Sequence, residues 1–471
     1  MTNVAIFNTL DCFLLICITF ISLTTRLWLI SIPDSITFDE VYFGNFTNYY
    51  LHRTYFHDIH PPFAKLTMAF IAYLTGYKGH INFANDPKNR YLENEINYIS
   101  LRLTPAIFQS FCFPLVYSTL RCLGFCSFTS FAASIAIIFE PSFLTEGRFI
   151  LSDGILHFYS CLNMFALSIF IIDYEPEYLW FASLSLGAAI SCKHTAFGLI
   201  AFDGISQLIW IYKFRPTFKE VIKRALLFLG PAICFFYFSY VIHFIILIYH
   251  GPKESFLSPE ISKTLLKNGS YCGLNLYEPS LLGRIVYLVY ITFAGHMIPL
   301  KPHPYESRPQ YWPLLLDKCM IYSSFPSRTV MLNGSPLIYY PATFSLIIVF
   351  FSIIFRKADC RHFLLLSGWA FSYFPFYLIP RSMYLYHYLI PLIFSVMCQA
   401  SIIETLFKEN QTVKCFLLLT MIFCGISSFV FWYPTIYGTY CEGCLEVRKW
   451  SRFWFDSSSD VNITDNNQTV L

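Results

Sequence analysis

Runs of about twenty predominantly apolar residues recur along this chain, and no other feature constrains its fold as much. Lipid offers no partner to a backbone N–H or C=O, so each run must satisfy its own hydrogen bonds as a helix. One crossing takes about 20 such residues. Counting the runs gives roughly eleven spans, centred near residues 20, 110, 132, 163, 185, 203, 237, 346, 371, 393 and 423. Composition agrees, because the 471 residues are 56% hydrophobic and 13% charged, against about 25% charged in soluble proteins. The expected class is an all-α polytopic membrane protein. A net charge of +3 is too small to suggest a nucleic-acid partner. The first run, Ala5 to Ile32, exceeds a cleavable signal core and lacks a basic flank and a small-residue cleavage site, which makes it a retained span.

Orientation follows from where Lys and Arg collect, since short cytosolic loops are enriched in them. With a cytosolic N-terminus, the short loops on that side carry Arg121, then Lys213, Arg215, Lys219, Lys223 and Arg224, then Arg356, Lys357 and Arg361, then Lys408 and Lys414. The short loops on the other side carry only Arg148, Lys193 and Arg381. The acidic loop around Asp173, Glu175 and Glu177 weighs little in this rule. Three larger polar segments then lie on the far side: 33–98, 249–335 and the tail from Pro434. The triplets beginning at Asn45, Asn268, Asn462 and Asn467 fall there, whereas the one at Asn410 faces the cytosol.

This parity divides the chain into an N-terminal membrane module (1–250) containing loop 33–98, a polar loop (251–335), C-terminal helices (336–433) and a tail (434–471). Leu281 to Leu300 is apolar enough to span, but Arg284 and His296 interrupt it. Ionisable groups deep in lipid are costly, so a helix along the membrane surface is expected. The tail after Asp456, rich in Ser, Asp and Asn, has the composition of a disordered segment. Most of the sixteen cysteines sit inside apolar runs, such as Cys112, Cys161, Cys234 and Cys398, where they act as small hydrophobes. Cys441-Glu442-Gly443-Cys444 suits a disulfide or a redox pair, and lacks the other two ligands of a structural zinc site.

Chemistry concentrates in the first polar loop. Asp39 and Glu40 adjoin each other, and His60-Pro61-Pro62 follows about twenty residues later. A carboxylate partly shielded from water can act as a general base for a hydroxyl or as a metal ligand; alternatively it caps the helix expected over Val41–Leu51. Arg26 lies in the outer third of the first span and Arg102 at the outer start of the second. Guanidinium groups there suit a phosphate, or snorkel to the interface, or pair with Asp39 or Glu40.

These residues fall in runs that resemble one family. Phe38-Asp39-Glu40-Val41-Tyr42-Phe43-Gly44, Tyr49-Tyr50 and Asp58-Ile59-His60-Pro61-Pro62-Phe63-Ala64-Lys65-Leu66 resemble the first lumenal loop of protein O-mannosyltransferases. The resemblance continues through Leu101-Arg102-Leu103-Thr104-Pro105-Ala106, Arg148-Phe149-Ile150-Leu151-Ser152-Asp153, Gly251-Pro252 and Ser258-Pro259-Glu260. Beyond these come His303-Pro304-Tyr305-Glu306-Ser307-Arg308-Pro309, Trp312-Pro313, Asn333-Gly334-Ser335-Pro336, Gly368-Trp369, Tyr373-Phe374-Pro375-Phe376 and His387-Tyr388-Leu389 with Pro391.

The resemblance implies an endoplasmic-reticulum enzyme, with cytosolic N-terminus and lumenal C-terminus, that moves mannose from dolichyl phosphate mannose to Ser or Thr of secretory polypeptides. It implies the GT-C bundle of polyprenyl-phosphate glycosyltransferases, with a catalytic first loop. Asp39 becomes the base, Glu40 its neighbour in the acceptor site, and Arg102 and Arg26 the phosphate binders. His60, Arg148, Asp153, His303, Tyr305, Arg308, Arg381 and His387 become site-wall residues. It implies no metal and no cofactor beyond the lipid-linked donor, a membrane-lipid environment, and a homo- or heterodimer with another family member. The alternatives are a related polyprenyl-phosphate-sugar glycosyltransferase with a non-protein acceptor and an inactive partner subunit of such an enzyme. Three departures stand out. The stretch between Leu265 and Tyr287 is too short for the family's trefoil of MIR repeats. Phe38 replaces the usual Trp, and Tyr386 a common His.

Overall fold

A computed structural model describes residues 7–83, 91, 97–252, 254–266, 280–299, 303–325 and 327–454. The triplets at Asn268, Asn462 and Asn467, the tail after Asp456 and most of the expected trefoil insertion point lie outside the described residues. The N-terminal half runs α1 (Thr9–Leu27), α2 (Glu40–Leu51), α3 (Phe63–Leu74), α4 (Asn97–Ser110), α5 (Cys112–Cys122), α6 (Ser127–Ile138), α7 (Pro141–Glu146), α8 (Asp153–Asp173), α9 (Pro176–Ile190), α10 (Gly198–Phe214) and α11 (Phe218–Ile246). After α12 (Pro259–Ser262) and α13 (Leu281–His296) comes an antiparallel hairpin of β1 (Met320–Phe325) and β2 (Arg328–Leu332). The remainder is α14 (Pro336–Ile354), α15 (Cys360–Tyr373), α16 (Leu389–Leu406), α17 (Gln411–Tyr437) and α18 (Cys444–Val447).

All eleven expected span centres fall within helices. Among the described residues, eight helices are long and apolar enough to cross a membrane. The centres near 132, 185 and 371 fall on shorter helices of 12, 15 and 14 residues, the last continuing as a 3₁₀ turn over Phe374–Leu378. Apolar residues run on past α15 into that turn, whereas Glu140-Pro141 ends the run at α6 and Ser191 to Lys193 the run at α9. Helix α13, with 16 residues, is about 24 Å long and falls short of the roughly 30 Å core. It buries Arg284, Ile285, Leu288 and Thr292 on one side and exposes Leu282, Val286 and Tyr290 on the other.

Helix ends are set by local chemistry. Asn8 and Asp11 close a capping box at α1, and Thr217 with Glu220 another at α11. Asp11 also ties three helices together at that end of the bundle, accepting from Arg121 Nε at 2.8 Å and from Ser127 Oγ at 2.7 Å. Gly438, at φ +64°, ends α17 in the left-handed conformation that glycine adopts without strain. Cys441 and Cys444 form a disulfide. Cys234, by contrast with the sequence expectation, is exposed. Asn45, in the triplet nearest the N-terminus, lies inside α2 with its amide donated to the Val41 and Phe83 carbonyls at 2.8 and 2.7 Å.

Helices α4 and α8 cross closely at Gly154, where an added Cβ would lie 2.3 Å from the Pro105 carbonyl oxygen. That contact seats the start of α8, and hence Asp153, against α4. Gly154→Ala must push the two helices apart, and overpacking of this kind typically costs about 1–3 kcal/mol. The expected outcome is a lower melting temperature in detergent together with reduced activity, checked against wild type by a thermal-shift assay.

Candidate active site

The first loop is pinned by a buried ion pair. Glu40 begins α2 and Arg102 sits one turn into α4, both fully buried. Arg102 Nε and Nη2 grip the two carboxylate oxygens of Glu40 at 2.7 and 2.8 Å. Its remaining donors reach the carbonyls of Ile30 (3.2 Å), Pro33 (2.8 Å) and Ser35 (3.0 Å). Glu40 also accepts from the Thr37 and Ile150 amides at 2.9 and 3.1 Å and from the Tyr91 hydroxyl at 3.2 Å. Every guanidinium donor is occupied, so Arg102 has none to offer a phosphate: the pairing alternative weighed for it is the one present.

Arg26 is likewise buried and committed, to Gln109 Oε1, Thr25 Oγ1 and the Ile138 carbonyl, with its guanidinium 4.2 Å from the centre of the Phe113 ring. Arg148 donates to the carbonyls of Arg26, Trp28 and Leu29 and lies 4.2 Å over the ring of Tyr437. Arg102 and Arg148 thus bind the backbone around the end of α1, while Arg26 ties α1 to α4 and α6.

Asp39 is built differently. It is the N-cap of α2 yet makes no side-chain capping bond, and the half-buried carboxylate has no hydrogen bond or ion pair among the described residues. The capping alternative therefore does not hold. Phe38 precedes it at φ +49°, a conformation strained for a bulky residue. Phe38 is held there by stacking on Tyr322 (centroids 4.4 Å apart) and by Tyr386 at 6.3 Å. Phe38 and Tyr386 thus pack against each other. Burial pushes the Asp39 carboxyl up to about 7; Lys193 opposes the shift, and Asp153 and Asp58 add to it by repulsion.

Charged pairs ring this carboxylate. Lys193, between α9 and α10, binds Asp153 at 2.5 Å, and both are buried. Lys193 Nζ also lies 5.3 Å from the centre of the Tyr386 ring. Lys65 of α3 pairs with Asp58 and donates to the His60 carbonyl at 2.8 Å. Glu146 ends α7, buried, and accepts from the Tyr322 hydroxyl; burial first, then Asp153, raises its carboxyl well above the ordinary range.

The segment around 381–388 closes the side beyond Tyr386. Arg381 donates to the Gly295 carbonyl at 3.3 Å. His387 stacks on Tyr386 with centroids 4.4 Å apart. The 303–308 stretch docks here, with His303 against Tyr384 at 5.4 Å and the Ser307 amide on the Met383 carbonyl at 2.8 Å. Tyr305 is half-buried, whereas Arg308 is exposed on the outer side of that stretch, its amide on Asp317. Of the expected wall residues, Asp153 lies near enough to Asp39 to raise its carboxyl by repulsion, His387 stacks on Tyr386, and Arg148 and Arg308 serve elsewhere. Lys193, Asp58, Lys65, Glu146 and Tyr322 were not anticipated as site residues. Lys193 did carry a signal, being one of the few basic residues in a short loop on the far side.

The helical membrane bundle is a fold that solved structures share. The Saccharomyces cerevisiae protein O-mannosyltransferase Pmt1–Pmt2 complex bound to the sugar donor superposes with a TM-score of 0.86 at 18% identity, over 96% of this chain and 93% of that one. ArnT from Cupriavidus metallidurans, bound to undecaprenyl phosphate, shares the fold with a TM-score of 0.51 at 11% identity, over 91% of this chain and 76% of that one. Residues 16–248 match the dolichyl-phosphate-mannose-protein mannosyltransferase family, and residues 287–457 its C-terminal four-transmembrane region. The chain belongs to this family. It is 33% identical to dolichyl-phosphate-mannose–protein mannosyltransferase 4 of Candida albicans over 267 residues, 53% of this chain and 35% of the relative. It is 34% identical to the Schizosaccharomyces pombe counterpart over 270 residues, 53% of this chain and 34% of the relative. The chain thus spans about a third of the length of these curated relatives.

Breaking a buried pair by removing one partner typically costs about 3–5 kcal/mol. Arg102→Ala and Glu40→Ala are therefore expected to lose folded protein, seen as a collapsed monodisperse peak on size exclusion. Asp39→Asn should behave oppositely. A carboxyl raised to about 7 binds a proton in the folded chain that the unfolded chain has released, so stability falls as pH rises from the ordinary carboxylate range through 7. Asp39→Asn should melt above wild type at pH 8, with the gap closing at pH 5; equal melting at both values would show that the carboxylate has a partner.

Proposed function

We propose that this chain transfers mannose from dolichyl phosphate mannose to Ser or Thr hydroxyls of polypeptides, with Asp39 as the base. The observation that carries the reading is a half-buried carboxylate without a partner, set in the family's Asp-Glu loop and raised towards neutrality by its surroundings. In the reaction the acceptor oxygen attacks the anomeric carbon from the face opposite the phosphate. Its proton passes to Asp39, and the bond from carbon to phosphate oxygen breaks, releasing dolichyl phosphate with the electron pair. A base whose pKa lies near the working pH is the most effective for such a transfer.

We assign the leaving phosphate to Lys193 and Arg381, because the donors of Arg26 and Arg102 are committed within the protein. Lys193 gives a compact charge and Arg381 a fork able to grip two oxygens. Tyr386 lies between them, 5.3 Å from Lys193, and its ring offers a platform for the sugar. The same reading sets the loop containing Asp39 on the lumenal face of the endoplasmic reticulum, with the N-terminus cytosolic and the C-terminus lumenal. It pairs this chain with another family member, as in the complex that its fold matches.

The test is transfer of labelled mannose from dolichyl phosphate mannose to a Ser/Thr-rich peptide, in membranes containing the chain and a candidate partner. Asp39→Asn should lower the rate at least about a hundredfold with normal membrane content. The wild-type rate should rise about tenfold per pH unit below 7 and level off above it, as the base loses its proton. Full activity in Asp39→Asn removes the assignment. Transfer to a glycolipid but never to peptide would change the acceptor class. Lys193→Met should weaken donor saturation more than peptide saturation, checked by separate KM values.

A further inference from the structure

Three histidines meet beside the site without a task in the transfer chemistry. His60 lies within the Asp58–Lys65 segment of the first loop, His194 follows Lys193 at the link into α10, and His296 ends α13. One ring nitrogen from each lies within 4.8 Å of the other two. His194 Nδ1 faces His296 Nε2 at 2.9 Å, and the Ile59 carbonyl lies 3.1 Å from that same His296 nitrogen. His60 Nδ1 and His194 Nε2 are buried without a hydrogen-bond partner.

Such an arrangement is unfavourable for imidazoles left to themselves. His194 and His296 satisfy each other through an N–H···N hydrogen bond, but His60 Nδ1 and His194 Nε2 forgo the hydrogen bonds they would make in water. A metal ion resolves this, because neutral imidazole nitrogen is among the preferred ligands of zinc and its neighbours in the transition series. Tetrahedral coordination at about 2.0–2.1 Å sets ligand nitrogens about 3.4 Å apart, so His194 and His296 part slightly and His60 draws in, adjustments that rotation of half-buried rings can supply.

The geometry points to a site for a divalent transition metal of the zinc class, held by His60, His194 and His296, that clamps α13 to the first loop and to the start of α10. The three ligands come from segments far apart in sequence, so one ion reinforces the packing of Phe293 on His194 and Phe197. Charges nearby decide the metal class. Lys65 is matched by Asp58 and Lys193 by Asp153, while Arg381 approaches from the 381–388 segment with its guanidinium on the Gly295 carbonyl. No carboxylate belongs to the cluster among the described residues. Calcium and magnesium, which need oxygen ligands, are therefore disfavoured. Three protein ligands leave a coordination position for solvent.

The site is tested on the full chain carrying a histidine-free tag, stripped with a chelator, incubated with cobalt(II) or zinc(II) chloride and desalted. Metal content is read without donor or acceptor, so the outcome is separable from that of the transfer assay. Wild type should retain about one metal per chain, show the visible absorption of nitrogen-coordinated cobalt(II), and melt at a higher temperature after zinc is restored. His194→Ala and His296→Ala should each lose the absorption and the zinc-dependent shift; His194→Gln serves if the alanine variant does not fold. Wild type that retains no metal and melts identically with and without zinc overturns the proposal. So does wild-type retention in a folded His194→Ala/His296→Ala double variant.

Discussion

The site depends on the ion pair between Glu40 and Arg102. Two charges removed from water in the interior of a bundle are stable only with near-complete compensation. Here the carboxylate is gripped bidentately and receives two amides and a tyrosine hydroxyl, while the guanidinium spends its other donors on three carbonyls of the loop. The pair therefore fixes the path of the backbone from Ile30 to Glu40 against α4. Asp39, one residue earlier, inherits that rigidity without sharing the pairing. Adjacent carboxylates with opposite degrees of satisfaction divide the work: one holds the loop, the other is free to react.

Around Asp39 the acidic and basic groups mostly cancel. Asp153 with Lys193 and Asp58 with Lys65 form matched pairs, and Glu146, bonded by Tyr322, is held towards its neutral form by burial. Such pairing keeps a crowded charged site from repelling itself apart, and it leaves Asp39 and Arg381 without an ion-pair partner among the described residues. A base and a cation are the two groups a glycosyl transfer to a hydroxyl needs, one to receive the acceptor proton and one to meet the departing phosphate. The strain at Phe38, held by Tyr322 and Tyr386, keeps the carboxylate turned from the helix it would otherwise cap.

Much of this was legible in the sequence, and the rest was not for physical reasons. Span positions were readable because lipid forces apolar runs into helices, while the end of α15 was not, since apolar residues continue across the break at Phe374. The Asp-Glu loop stood out, but adjacency could not say which acid was free. That depended on Arg102, 62 residues away. The placement of Arg26 and Arg102 at span ends suited phosphate, snorkelling or pairing alike, and the backbone carbonyls that occupy them leave no trace in sequence. Glu146 was invisible because its partner Tyr322 arrives on a hairpin 176 residues later. Lys193 and Arg381 were visible as exceptions: basic residues on the side of the membrane where short loops avoid them mark places where a positive charge is wanted.

A structure of the chain with bound dolichyl phosphate tests this account most directly. The account predicts the phosphate beside Lys193 and Arg381, with Arg102 still bidentate on Glu40 and Asp39 open to solvent on the acceptor side. A phosphate held by Arg102, with Glu40 displaced, would contradict it.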